Sequence, residues 1–137
     1  MIRNERRGGL TLLLIDRPDK ANSLTEAMLR DLTAALDDAA ADPESRALIL
    51  TGTGKVFSAG ADLDEAKAGL AKSSEWERLS ARMATMPCLT IAALNGTLAG
   101  GAFGMVLACD LRIAVPDAKF FYLSLIHISE PTRPLYI

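Results

Sequence analysis

The chain has 137 residues, half of them apolar, which is enough to bury the core of one domain. Its 15 basic and 17 acidic residues give a formal charge of −2 and are spread along the sequence, which excludes the basic field that nucleic acid or an anionic membrane would require. No apolar run reaches the roughly 18 residues of a spanning helix and none follows the N-terminal positive charges, so a cytoplasmic protein with no membrane or nucleic-acid partner is expected.

Residues 10–16 form a continuous apolar run between Gly8-Gly9 and Arg17-Pro18, which predicts a strand covered on both faces. Ahead of it, Arg3, Arg6 and Arg7 make a small basic cluster that suits either a solvated edge or a phosphate contact. After a loop at 19–24, Met28, Leu29, Leu32, Leu36, Ala39 and Ala40 recur at helical spacing, with Thr25 as N-cap and Asp42-Pro43 as the stop. A second apolar run at 47–51, separated from the first by that helix, predicts a βαβ unit with parallel strands.

A Gly-containing loop at 52–60 leads into a mostly helical stretch at 61–86, broken near 69–74 and closed by Pro87. Residues 89–94 read as a third strand, 95–100 as a turn, 101–108 as a small-residue helix and 111–115 as a fourth strand. The order β-α-β-α-β-α-β indicates an α/β fold. Cys88 and Cys109 lie in apolar segments without CxxC spacing, which predicts free thiols rather than a disulfide framework or a metal site.

Two loops follow predicted strands, KVFSAGADL at 55–63 and LNGTLAGGAFG at 94–104. In open α/β sheets that end of the strand is where ligands bind. Gly60 and Gly101 allow the main chain to approach a substrate closely, and unpaired N–H groups converging from the two loops would make an oxyanion hole. The same glycines also suit helix caps and close packing. Gly54-Lys55 is followed by Val56, with no glycine five positions before Gly54, so the P-loop pattern fails; neither loop spells G-x-G-x-x-G. Asp64 and Glu65, early in their helix, suit capping charges rather than bases.

Taken in order, IDRPDKANSLT at 15–25, FSAGADL at 57–63 and LNGTLAGGAFGMVLACDLRIA at 94–114 resemble the signature segments of the enoyl-CoA hydratase/isomerase (crotonase) family. The resemblance covers about residues 8–122. It implies a crotonase-like (ClpP/crotonase) α/β fold of ββα repeats, truncated here relative to the longer family members. It also implies that the backbone N–H groups of Ala61 and Gly101 form the oxyanion hole for the thioester carbonyl of an acyl-CoA. By the same resemblance, Ala59 and Leu63 lie along the CoA adenine through their backbone groups, and Asp62 fixes that loop. Arg17 and Lys20 fall near the CoA phosphates, although as residues they equally suit exposed loop charges. Coenzyme A then enters as part of the substrate, with no separate cofactor and no metal, and the implied assembly of the parent protein is a homotrimer or hexamer.

Hydratases of this family carry a glutamate three residues after the oxyanion glycine, where this chain has Gly104. A second hydratase glutamate falls near Ser124, where the resemblance has ended. The pattern therefore implies an isomerase-like or other branch whose acid or base lies farther along, with turnover expected of the parent protein and not of these residues alone. A non-catalytic member that binds CoA thioesters is the alternative. The chain divides accordingly into 1–122, the N-terminal part of a crotonase-like domain, and 123–137, where LSLIHISEPTR resembles a translated sequencing-library adapter. His127, the only histidine, is given no catalytic role.

Overall fold

The computed structural model describes residues 1–122; the expected adapter-like tail at 123–137 and His127 lie outside them. Strand β1 (Ile2–Arg7) turns through Gly8-Gly9 into β2 (Leu10–Ile15) as an antiparallel hairpin, with Gly8 at φ 58, a conformation that suits glycine. Parallel strands β3 (Ala47–Gly52), β5 (Leu89–Leu94) and β7 (Leu111–Ala114) extend the sheet in the order β1-β2-β3-β5-β7. Three short strands, β4 (Val56–Ser58), β6 (Thr97–Ala99) and β8 (Phe120–Phe121), build a second parallel sheet in the order β4-β6-β8. Helices α1 (Glu26–Ala41), α2 (Leu63–Lys67), α3 (Glu75–Ala84) and α4 (Phe103–Leu107) fill the connections. After α1 each strand pair splits, the first strand joining the large sheet and the second the small one.

Side-chain alternation explains the core. Register places Leu13 beside Leu50 and Leu50 beside Ala92, a buried row running across three strands. The neighbouring row is Thr11, Leu48 and Thr90. Helix α1 lays Met28, Leu29, Leu32, Ala35, Leu36 and Ala39 into the same core, and the Thr25 hydroxyl caps it by accepting from the Met28 N–H at 3.2 Å. Burying a leucine of this kind contributes roughly 1.5–3 kcal/mol, so the helix is held mainly by its apolar face.

Two expectations are corrected. The β2 strand is sealed on one face only: Thr11, Leu13 and Ile15 are buried, whereas Leu10, Leu12 and Leu14 are half-covered. The Arg-rich start forms the edge strand β1, where Arg3, Arg6 and Arg7 are exposed, in keeping with the solvated-edge reading, and Arg3 is paired to Glu5 and Asp16 and Arg6 to Asp42. The stretch 95–100 is not only a turn, because β6 runs through it. Among the described residues, no helix is long and apolar enough to cross a membrane.

Both cysteines are free, as expected. Burial pushes the Cys109 thiol up to about 11, and its Sγ lies 3.4 Å from the Met105 carbonyl. Since the thiolate is the reactive form, a chromogenic disulfide reagent at about pH 8 should titrate Cys88 in the native chain and Cys109 only after denaturation. Equal native rates at the two thiols would contradict that burial.

Candidate functional site

The small sheet creates the site. Because β4 and β6 are parallel neighbours, with Val56 beside Thr97 and Ser58 beside Leu98, the loops that leave their C-terminal ends emerge side by side. The two loops touch through glycines. A Cβ placed on Gly60 would stand 3.0 Å from the Ala99 carbonyl and 3.3 Å from the Gly101 nitrogen, and Gly60 sits at φ 95. Gly100, at φ 62, faces the Gly60 Cα in return.

The direction of the first N–H follows from one bridge. Leu24 pairs with Ala61 in parallel fashion: the Leu24 N–H donates to the Gly60 carbonyl at 2.7 Å, and the Asp62 N–H donates to the Leu24 carbonyl at 2.9 Å. Residues flanking Ala61 therefore make both bonds, and the Ala61 N–H points away from Leu24. Gly101 lies in a 3-10 turn, Gly100–Ala102, whose early N–H groups have no carbonyl behind them. Neither the Ala61 nor the Gly101 N–H has a hydrogen-bond acceptor among the described residues. The expected helix at 101–108 is a 3-10 turn followed by the five residues of α4, so the alignment of dipoles behind Gly101 is short.

Two asparagines, to which sequence reasoning gave no role, hold these loops. Asn22 is fully buried at φ 53. Its Oδ1 accepts from the Arg17 N–H at 2.8 Å, and its Nδ2 donates to the Thr53 and Val56 carbonyls at 2.9 and 2.7 Å. The Ser58 hydroxyl continues the chain of bonds, donating to the Asn22 carbonyl and accepting from the Gly60 N–H. Asn95 does the same at the second loop, accepting from Gly52 and donating to the Gly54 and Val56 carbonyls. Both asparagines lay within the recognised segments, but only their three-dimensional partners reveal the task.

The remaining sequence-selected residues surround this frame. Ala59 on the first loop and Leu63 at the start of α2 are exposed, and the Ala59 N–H donates to the Ala21 carbonyl. Asp62 caps α2, its Oδ1 accepting from the Glu65 N–H at 3.0 Å, while its Oδ2 lies 2.8 Å from Arg17 Nη1. Arg17 is thus engaged inside the chain, also reaching Ser23 at 3.3 Å, whereas Lys20 is exposed. Glu65 caps α1 from a distance, accepting from the Glu26 N–H at 2.8 Å. At Gly104 an added Cβ would lie 2.7 Å from the Ser80 Oγ of α3, so the space beside it is already occupied by a hydroxyl.

The Glu65 N–H, and after it the Arg17 guanidinium, hold the Asp62 carboxyl below the usual carboxylate range. A carboxyl depressed in the folded state stabilises above its unfolded value of about 3.9, and that contribution disappears as pH falls through the folded value. Urea midpoints followed downward from neutral pH should therefore decline more steeply for the parent chain than for Asp62→Asn. Identical slopes would remove Asp62 from the account.

A family model described as enoyl-CoA hydratase/isomerase matches residues 5–128. A Thermus thermophilus protein that bears the name enoyl-CoA hydratase is 39% identical over 124 residues, covering 85% of this chain and 49% of its own. The hydroxycinnamoyl-CoA hydratase-lyase of Pseudomonas fluorescens is 32% identical over 131 residues, covering 87% and 47%. The crystal structure of an enoyl-CoA hydratase from Mycobacterium avium subsp. paratuberculosis superposes with a TM-score of 0.80 at 31% identity, over 88% of this chain and 49% of that one. The chain spans about half the length of the curated relatives it matches. With the strand-strand-helix repeats, the paired glycine loops and these likenesses in agreement, the chain belongs to the enoyl-CoA hydratase/isomerase (crotonase) family.

Proposed function

We propose that this chain supplies the oxyanion-binding part of an enzyme acting on acyl-CoA thioesters, with the Ala61 and Gly101 N–H groups as the two donors. The observation that carries this reading is the pair of N–H groups without an acceptor among the described residues, on loops whose glycine backbones touch. Removing a proton next to a thioester carbonyl, or adding a nucleophile across a conjugated double bond, moves negative charge onto the carbonyl oxygen. A rigid donor aimed at that oxygen is worth about 3–4 kcal/mol in the transition state. Coenzyme A enters with the substrate, passing Ala59 and Leu63, and Lys20, exposed at the end of the Pro18–Lys20 turn, is available to its phosphates. Arg17 acts there chiefly by holding Asp62.

Gly104 supports an isomerase-like or other branch over a simple hydratase, since it offers no group for proton transfer and its flank is taken by Ser80. A 3-ketoacyl-CoA tests the donors directly, because its enolate absorbs in the near ultraviolet and the enolate is the charged form an oxyanion hole favours. Mixing it with the chain should raise that band. Gly60→Ala should weaken it about 100-fold or more, because the new Cβ pushes the two loops apart. Absence of the band with the parent chain would overturn the reading. A band without consumption of any enoyl-CoA would favour the non-catalytic binder.

A further inference from the structure

Trp76, on the first turn of α3, lies directly against the second donor loop. A Cβ on Gly101 would meet the indole carbons Cζ3, Cε3 and Cη2 at 3.1, 3.2 and 3.2 Å, so the ring covers the side of Gly101 where a side chain would project. Its pose is fixed. The indole N–H donates to the Leu70 carbonyl at 3.0 Å, which ties the ring to the 3-10 turn Leu70–Lys72, and Leu70 itself is buried. One helical turn farther along the same face of α3, the Ser80 hydroxyl stands over Gly104. The ring remains part-exposed, so it is available to a ligand as well as to the core.

The donor pair is therefore bounded on one side by the Gly60-Ala61 loop and on the other by the indole. A thioester carbonyl carries two substituents that diverge at a trigonal carbon. On the reading above, on which this inference rests, the sulfur arm leaves past Ala59 and Leu63. The acyl arm must then leave toward α3, where a large, immobilised ring stands first and the Ser80 hydroxyl second. We propose that Trp76 is the specificity-determining residue of the acyl site: its ring packs against the first carbons of the acyl group and rejects substrates bulky near the carbonyl. An aromatic wall of this kind discriminates through shape, since an extra carbon next to the carbonyl meets a ring that its bond to Leu70 keeps from moving.

Trp76 is the only tryptophan of the chain, so its emission reports on this wall alone. The full chain is titrated with butyryl-CoA, with an acyl-CoA branched at the carbon next to the carbonyl, and with free CoA, by fluorescence and by calorimetry. The expected result is an emission change with butyryl-CoA and none with CoA, although both bind. Trp76→Ala should shift the affinity ratio toward the branched thioester by about 10-fold or more, and Trp76→Phe, which keeps an aromatic ring on Gly101, should largely preserve the parent ratio. If both ligands bind but the emission is unmoved and the ratio is unchanged in Trp76→Phe and Trp76→Ala, the proposal fails while the oxyanion reading stands. If neither CoA nor butyryl-CoA binds the parent chain, both fail together.

Discussion

Asn22→Ala is expected to lower the unfolding free energy by about 3–5 kcal/mol, measured as a fall in the urea midpoint. The substitution deprives the Arg17 N–H and the Thr53 carbonyl of their side-chain partner; the Val56 carbonyl keeps its bond from Asn95. Each buried group left unsatisfied costs about 1–3 kcal/mol. A further cost of about 1 kcal/mol arises because alanine tolerates the left-handed backbone at φ 53 less well than asparagine. Asn22→Gly separates the two effects, since it loses the same hydrogen bonds without the backbone cost and should recover about 1 kcal/mol of the loss. A midpoint within experimental error of the parent would show that the loops are held by something else. Because domains are stable by only about 5–15 kcal/mol, a loss of the expected size removes much of the margin.

Gly96→Ala should be the more severe change for the site. A Cβ there would fall 1.9 Å from the Lys55 carbonyl oxygen and 2.7 Å from its carbon, main-chain atoms that no rotamer change can move aside. The only relief is to separate the start of β4 from the start of β6, which breaks the pairing of Val56 with Thr97. Expected are a destabilisation above about 4 kcal/mol and complete loss of the enolate band from a 3-ketoacyl-CoA. The neighbouring Gly54→Ala provides the contrast: its Cβ would find ordinary contact with Pro18 at 3.6 Å, and only its positive φ opposes the change. Parent-like melting and enolate formation by Gly96→Ala would mean that the contact of the two strands is not what positions the donors.

What could be read from sequence follows the length of the elements. Helix α1 announces itself through six apolar positions at helical spacing, a threonine cap and a terminating Asp-Pro, and the structure keeps all of them. Strands β2, β3, β5 and β7 are four to six residues of mostly apolar sequence, long enough to stand out. Strand β1 was hidden because its arginines read as a charge cluster, although Gly8-Gly9 was a hairpin signal in plain view. Strands β4, β6 and β8 were invisible for a different reason. Two or three residues carry no period, and what makes them strands is a partner distant in sequence.

The site shows the same division. The glycines that let the loops approach were legible, and the recognised segments pointed to Ala61 and Gly101. Yet the outward aim of the Ala61 N–H depends on its bridge to Leu24, and the adjacency of the two loops depends on the small sheet. Trp76 lay unremarked within the mostly helical stretch 61–86, because nothing in its neighbours places it on Gly101.

The small parallel sheet has a consequence for how the molecule comes apart. Each of its pairings closes a long connection, Val56 to Thr97 and Leu98 to Phe120, and rewards that closure with very few ladder bonds. The large sheet, with its longer strands and its buried rows, is the cooperative unit with the higher opening energy. Under mild stress the Gly60 and Gly101 loops are thus expected to be the first foldon to open and, on refolding, the last to close. On the proposed function, thioester binding is then expected to be lost before helical ellipticity is, and a thioester that binds these loops is expected to reclose them by mass action.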